Sequence, residues 1–594
     1  MKVLNPIRKA LERPQLPDRQ SSPRADRQGP ACPPAPTRAQ QPTDALRVGR
    51  LSGCVLATLR VGHGGSPVPD DRQGSIGTPV RGLELRPATS RSAATTYPPA
   101  VMPPIAAAAL VFLSSAAVLV LEILAARLLA PYVGATLETY TAIIGVILAG
   151  IAVGSWLGGK AADARDPKGL LGPLLIAGGA TAFISIPILD GLGTSLRGAG
   201  PATTTTLTVL AFFAPAAVLS AVTPAVIKIQ LASLAETGRV VGRLSALSTT
   251  GAIVGTFVTG FLLVAAFPTR PVVRVTALLL VLLGVGTSLA LKRGRGLTAG
   301  STVAVLAAAA FSFAASHPCE HESAYYCAYI VTDEDRPSGR ALWLDTLRHS
   351  YVDLDDPTYL EFTYTQWFGD VITAMAPDGE PLSVLHIGGA GFTMPRYLRA
   401  AHPGSTSEVL EVDELLVELA KDELGLELGD DITVRIGDAR STIADGAPGE
   451  HDLVIGDAFG GVAVPWHLAT LEFTELVRVR LAPDGVYIMN VIDYGPRRFL
   501  RAEIATVAAV FDHVAVLGRP GSFADGTRGV GGNYVVIAAD EPLPLEAIAA
   551  ANARRGRSDD LLTGAELERF TGDARVLTDD RAPVDQLLTP RPVD

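Results

Sequence analysis

The sequence predicts a multi-pass α-helical membrane domain joined to an α/β, Rossmann-like nucleotide-binding domain, with a small β-region between them. Three observations carry this. The chain has 594 residues, too many for one domain. Its mean hydropathy of +0.30, with only 19% charged residues, is too apolar for an ordinary soluble enzyme. The apolar residues concentrate between Pro104 and Ala315, in runs near the roughly 20 residues a bilayer-crossing helix needs. Beyond them, the stretch PLSVLHIGGAGFTMPRYLRAA sets an apolar strand at 384–387, glycines at Gly388, Gly389 and Gly391, and a helical pattern from Met394 in succession. That order opens a nucleotide-binding βαβ unit, in which glycines let the backbone approach a ligand closely.

The expected organisation is a tail at 1–101, a transmembrane domain at 104–315, a β-region at 316–356, a nucleotide-binding domain at 357–540 and a C-terminal tail or helix at 541–594. The tail is rich in Pro, Arg, Gln, Ser and Gly and lacks periodicity, the composition of a disordered segment. It has no apolar core of a secretory signal peptide. Methionine is scarce, with 5 in the chain, and Met102 directly precedes the first apolar run. The alternative expectation is therefore that translation starts at Met102. The net charge of −10 and the lack of a basic stripe argue against a nucleic-acid partner.

Seven spans are expected, at 104–130, 141–162, 169–190, 203–229, 248–268, 271–291 and 298–315, the last being the shortest. Gly150, Gly154 and Gly158 recur every fourth residue, a spacing that lets helices approach closely in lipid. Glu122 is an intramembrane carboxylate, read either as functional or as a polar contact within the bundle. Arg127 follows at a spacing that does not predict a pair with it. Basic residues gather in alternate loops: Lys160, Arg165 and Lys168; Lys228, Arg239 and Arg243; and Lys292, Arg293 and Arg295. Arg197, Arg270 and Arg274 are nearly all the opposite loops carry. The positive-inside rule makes the richer set cytoplasmic. With seven spans this puts the C-terminal domain outside the cell membrane.

After Ala315, Cys319 and Cys327 are spaced wrongly for a zinc site. They are a disulfide pair if the domain is exported and free thiols otherwise. Short strands are expected at 325–332, 341–344 and 349–352, then a helix at 359–375. Acids close successive strands: Glu411 in SEVLEV, Asp438 in ITVRIGD and Asp457 in DLVIGD. In an open α/β sheet the carboxyl ends of the strands face the ligand, so these acids converge on one crevice. Capping of the following helix is the competing reading for any one of them. A fifth strand at 486–491 and a terminal pair at 514–519 and 534–538 complete a class I methyltransferase-like layout.

The motifs ALWLDTLRHSYVD, DPTYLEFTY, VLHIGGAG, LEVD, IGDAR and DLVIGDAF, followed by VPWHLATLEF, resemble the spermidine synthase (polyamine aminopropyltransferase) family. Together with LEILAARLLAPYVGA and GVILAGIAVGSWLGGKAAD, the chain is similar to fused MFS-like/spermidine synthase-like membrane proteins, over about 104–540. The resemblance implies transfer of an aminopropyl group from decarboxylated S-adenosylmethionine to an amine, with methylthioadenosine leaving and no metal. It implies Glu411 on the ribose, Asp438 with Ala439 at the adenine amino group, Pro465 bordering the adenine and Asp457 as the base. His349 stands near the family's amine-side glutamine and is the candidate substrate contact. The partners implied are a nucleoside, an amine and the lipid bilayer; the family is often oligomeric, and the β-region could serve that purpose.

The departures lie on the amine side. GGAGFT replaces GGGDGG, and Asp457-Ala458-Phe459-Gly460-Gly461 lacks the second aspartate of the family motif. Thr346 stands where the family has glycine. Most of the carboxylate cage for a polyamine is absent. Two further readings stay open: an S-adenosylmethionine-dependent methyltransferase, and a transporter or sensor that binds a nucleoside or polyamine without chemistry.

Overall fold

Runs of Ala, Leu, Val and Gly without charge have no use for water, and between residues 104 and 314 they fold as a helical bundle. The computed structural model describes residues 102–196, 201–231, 233–291, 299–316, 318–377, 379–524 and 531–589. The tail 1–101, Arg197, Lys292, Arg293 and Arg295, with the expectations attached to them, lie outside the described residues. Among the described residues, six helices are long and apolar enough to cross a membrane: α1 (Pro104–Val133), α2 (Leu137–Ala164), α3 (Lys168–Gly193), α4 (Pro201–Gln230), α5 (Leu234–Ala266) and α6 (Thr269–Ala290). The expected seventh span is the shorter helix α7 (Ala299–Ala314). α5 begins 14 residues before the expected start at 248, because its polar first turns, TGRVVGR, are helical as well.

The glycine repeat is a packing device. A Cβ on Gly154 would lie 2.0 Å from the carbonyl oxygen of Ala217, and one on Gly150 or Gly158 would lie 2.9 Å from Ala216 or 2.6 Å from Ala221, so α2 lies directly on α4. At one end of the bundle, Tyr132 at the close of α1 donates to Asp190 at the close of α3 (2.5 Å), and Arg270 at the start of α6 pairs with the same carboxylate. Arg270 also donates to the carbonyl of Ser316 (2.6 Å), and Arg274 to that of Ser312 (2.5 Å), so α7 runs antiparallel to α6 and leaves the bundle at this end. Lys160, Arg165 and Lys168 lie at the other end, where Lys228 pairs with Asp163 (2.7 Å).

The chain then forms a four-stranded antiparallel sheet, β1 (His321–Glu322), β2 (Cys327–Thr332), β3 (Gly339–Leu344) and β4 (Leu347–Asp353), beside a disulfide joining Cys319 to Cys327. Helix α8 (Thr363–Met375) starts four residues later than expected. The α/β domain continues through β5 (Ser383–Ile387), α9 (Thr393–Ala401), β6 (Thr406–Glu411), α10 (Glu414–Glu423), β7 (Ile432–Ile436), α11 (Ala439–Ile443), β8 (His451–Gly456), α12 (Leu471–Arg480) and β9 (Leu481–Tyr494). It closes with α13 (Arg498–Ala508), β10 (His513–Gly518), β11 (Gly531–Ala539), α14 (Leu545–Arg554) and β12 (Asp560–Thr563). The sheet order is β12-β10-β11-β9-β8-β5-β6-β7, with β5 to β9 parallel and β10 to β12 antiparallel.

This is the class I methyltransferase-like order with one added edge strand. That strand, β12, comes from the segment expected to be a tail. Alternation places Leu385 and Ile387 in the core on one face of β5, with Phe473 and Phe499. Val384 lies on the other face, with Trp367 and Phe368. The strand order reverses between β5 and β8, and this switch point opens the crevice where a ligand belongs.

Candidate functional site

β5 is followed by Gly388, whose φ of +95° is open to glycine and whose added Cβ would meet the carbonyl of Asp457 at 2.7 Å. Ala390 and Phe392 also take positive φ, so the turn before α9 is strained at two residues with side chains. Glu411 holds it there. One carboxylate oxygen accepts from the amides of Gly389 (2.8 Å) and Ala390 (3.0 Å), and the other from the amide of Asp413 (3.0 Å).

Asp438 at the end of β7 performs two tasks. It caps α11 through the amide of Ser441 (3.2 Å) and meets Nε2 of His467 at 2.8 Å. The competing reading, helix capping, is thus correct for one of its oxygens. Asp457 follows β8. Its carboxylate accepts from Nδ2 of Asn490 (2.8 Å) and from the Tyr364 hydroxyl (3.1 Å). Burial pushes its pKa up to about 6 against the opposing pull of these two donors. Asn533 donates to Oδ1 of Asn490 (3.0 Å), which fixes the amide with its NH₂ toward Asp457.

Gly388, Gly389, Glu411, Asp438, Ala439, Asp457, Pro465 and His349 all line one cavity of about 250 Å³. Gly391 does not. It sits behind the turn, where its amide donates to the Ser350 hydroxyl (3.0 Å) and a Cβ would strike the Ser350 side chain at 2.6 Å. His349 has no hydrogen-bond partner for Nε2 among the described residues, and burial holds its pKa down to about 4, so it is neutral at pH 7.

The sequence reading missed four contributors. Tyr364 and Asn490 hold Asp457, and Tyr325 and Tyr326 wall the cavity; the Tyr326 hydroxyl donates to the carbonyl of Phe459 (2.8 Å). Asn490 carried a usable signal, being a polar residue in the middle of the apolar run VYIMNVI. One cluster of metal-ligand type occurs among the described residues: Glu408, Glu450 and His451. Its centre is held by the Arg480 guanidinium, at 2.7, 3.1 and 2.8 Å, a fixed cation where a metal ion would sit.

No protein-family description matches the chain. It is 27% identical over 214 residues to a polyamine aminopropyltransferase of Vibrio vulnificus, a match covering 35% of this chain and 70% of that protein. It is 27% identical over 147 residues to a probable polyamine aminopropyl transferase of Bifidobacterium longum, covering 24% of this chain and 32% of that one. Among solved structures, a probable spermidine synthase from Corynebacterium glutamicum aligns with a TM-score of 0.40 at 26% identity, over 43% of this chain and 94% of that chain. By its two sequence matches, the carboxy-terminal part of the chain is similar to polyamine aminopropyltransferases.

Proposed function

We propose that this chain is a membrane-bound transferase that moves an aminopropyl group from decarboxylated S-adenosylmethionine to an amine. The observation that carries the reading is Asp457: a shielded carboxylate with a pKa of about 6, held by two neutral donors at the floor of the cavity that Glu411 and Asp438 also face. In the proposed step a neutral amine nitrogen attacks the methylene carbon bonded to the sulfonium. The carbon–sulfur bond breaks and its electron pair goes to sulfur, so methylthioadenosine leaves. The proton released from nitrogen passes to Asp457, which is ionised at neutral pH and ready to accept it. Glu411 has lone pairs beyond its backbone contacts for ribose hydroxyls. Asp438, Ala439 and Pro465 would border the adenine, and neutral His349 would contact the acceptor.

Six apolar helices of sufficient length support a multi-pass protein of the cell membrane. The transferase-like half packs at the end of the bundle opposite Lys160, Arg165 and Lys168. With the positive-inside rule and the Cys319–Cys327 disulfide, this supports an outward-facing domain. Alkaline phosphatase fused after Asp594 should then be active; a fluorescent green protein fusion at the same point would contradict it.

A second reading, nucleoside binding without transfer, is favoured by the missing amine-side carboxylate at Gly460. Both readings require the nucleoside. Titration calorimetry of the purified chain with methylthioadenosine and decarboxylated S-adenosylmethionine should give saturable heat, and no heat with either would remove both.

A further inference from the structure

We propose that Arg127, on α1 of the apolar bundle, is a positioning residue of the nucleoside cavity, acting on Glu411 through the short strap 322–326. The proposal rests on the nucleoside reading of that cavity. The strap lies inside the loop closed by the Cys319–Cys327 disulfide, which limits its freedom to rearrange.

On the bundle side, the Arg127 guanidinium donates to the carbonyls of Ser323 and Ala324. It also donates to the Thr269 hydroxyl (3.2 Å) and lies 3.5 Å from the Glu322 carboxylate. Glu322 accepts in turn from the amide of Thr269 at the start of α6 (3.0 Å). One planar fork thus ties two helices to the strap, a geometry lysine does not reproduce.

On the cavity side, the Ser323 hydroxyl donates to Asp413 and accepts from the amides of Tyr325 and Tyr326 (2.9 Å each). The amide of Asp413 donates to Glu411 (3.0 Å), whose other oxygen fixes Gly389 and Ala390. Tyr326 reaches the carbonyl of Phe459, two residues past Asp457. The strap therefore touches both ends of the cavity.

A second cavity of about 220 Å³ lies at the junction and shares Tyr325 and Tyr326 with the first. Its charged groups already have protein partners: Arg127 and Glu322 as described, Arg270 with Asp190, and Asp345 with the amide of Cys327 (3.1 Å). That charge joins the two halves of the chain; it does not recruit a ligand. Most links in this chain are polar contacts with little water to replace them, so displacing α1 against α6 shifts the strap and with it the Glu411 anchor. The coupling is reciprocal: a nucleoside that favours one setting of Glu411 favours one setting of the bundle end.

The test uses the full chain in detergent or nanodiscs, with methylthioadenosine as probe. In Arg127→Lys the dissociation constant should rise about tenfold, with the thermal midpoint of the ligand-free protein unchanged. In the wild type, the nucleoside should slow hydrogen exchange at the strap amides and at Thr269. Wild-type affinity in Arg127→Lys, or protection confined to the Gly389 turn and β6, would overturn the proposal. Failure of the wild type to bind would instead remove the nucleoside reading beneath it. Should Arg127→Lys lower the thermal midpoint as well, Ser323→Ala decides: weaker binding at an unchanged midpoint upholds the coupling, and unchanged binding overturns it.

Discussion

Glu411 and Asp457 both follow parallel strands, both face the same cavity and both carry a carboxylate, yet their surroundings differ in kind. Glu411 receives three backbone amides, from Gly389, Ala390 and Asp413. Those donors are part of the fold and cannot follow a proton, so Glu411 is a fixed anchor that shapes the turn. Asp457 receives only two side-chain donors, Tyr364 and Asn490, and burial lifts its pKa to about 6. It is the acid in the cavity suited to taking a proton and giving it up near neutral pH. The contrast teaches that position at a strand end selects the crevice, while the donor set selects the job.

Asp457→Asn should break the contrast most severely. The amide keeps the shape and cannot accept the proton, so steady-state turnover should fall by about 10²–10⁴-fold with nucleoside affinity retained. The same variant should be more stable. The folded pKa of Asp457 lies above its unfolded value, so the ionised form costs stability at pH above about 6, and that cost vanishes as pH falls towards the unfolded value. The gain in Asn should reach up to about 3 kcal/mol at pH 8 and shrink on acidification, which denaturant melts at several pH values would measure.

Glu411→Gln should act in the reverse sense. It places an NH₂ against backbone donors, and nucleoside affinity measured by calorimetry should weaken by about 10–100-fold. Tyr364→Phe and Asn490→Ala each remove a donor that favours the charged form of Asp457. The acidic limb of kcat/KM, centred near 6 in the wild type, should move to higher pH, with a severalfold loss at pH 6. An unshifted limb would detach these residues from the base. The smallest effect concerns Ala390, held at φ 42°. Ala390→Gly relieves the strained turn while loosening the unfolded chain, and a net gain of no more than about 1 kcal/mol should appear in thermal melts.

The elements that sequence periodicity encodes locally were legible. The glycine turn, the strand-end acids and all of the apolar spans but α5, which starts 14 residues early, lie within a few residues of their expected places. β12 was not legible, because its four residues, DLLT, become a strand only by pairing with β10. β9 runs to 14 residues, where 486–491 was expected, because β11 pairs with it out to Tyr494 and His451 of β8 pairs with Leu481 at its start. At the site, acids in one motif could be read together, but Tyr364 meets Asp457 across 93 positions and Ser323 meets Asp413 across 90. No local pattern announces such contacts. Arg127 shows the same limit: its spacing from Glu122 offered no pair, and its partners are Thr269 and the strap.

Transfer, beyond binding, is the activity proposed for the cavity. It is tested most directly by incubating the purified full chain with decarboxylated S-adenosylmethionine and a panel of primary amines, and weighing the products. The expected result is methylthioadenosine release matched by an amine heavier by one aminopropyl group, in the wild type and not in Asp457→Asn. Saturable nucleoside binding with no modified amine, or equal product from Asp457→Asn, would contradict it.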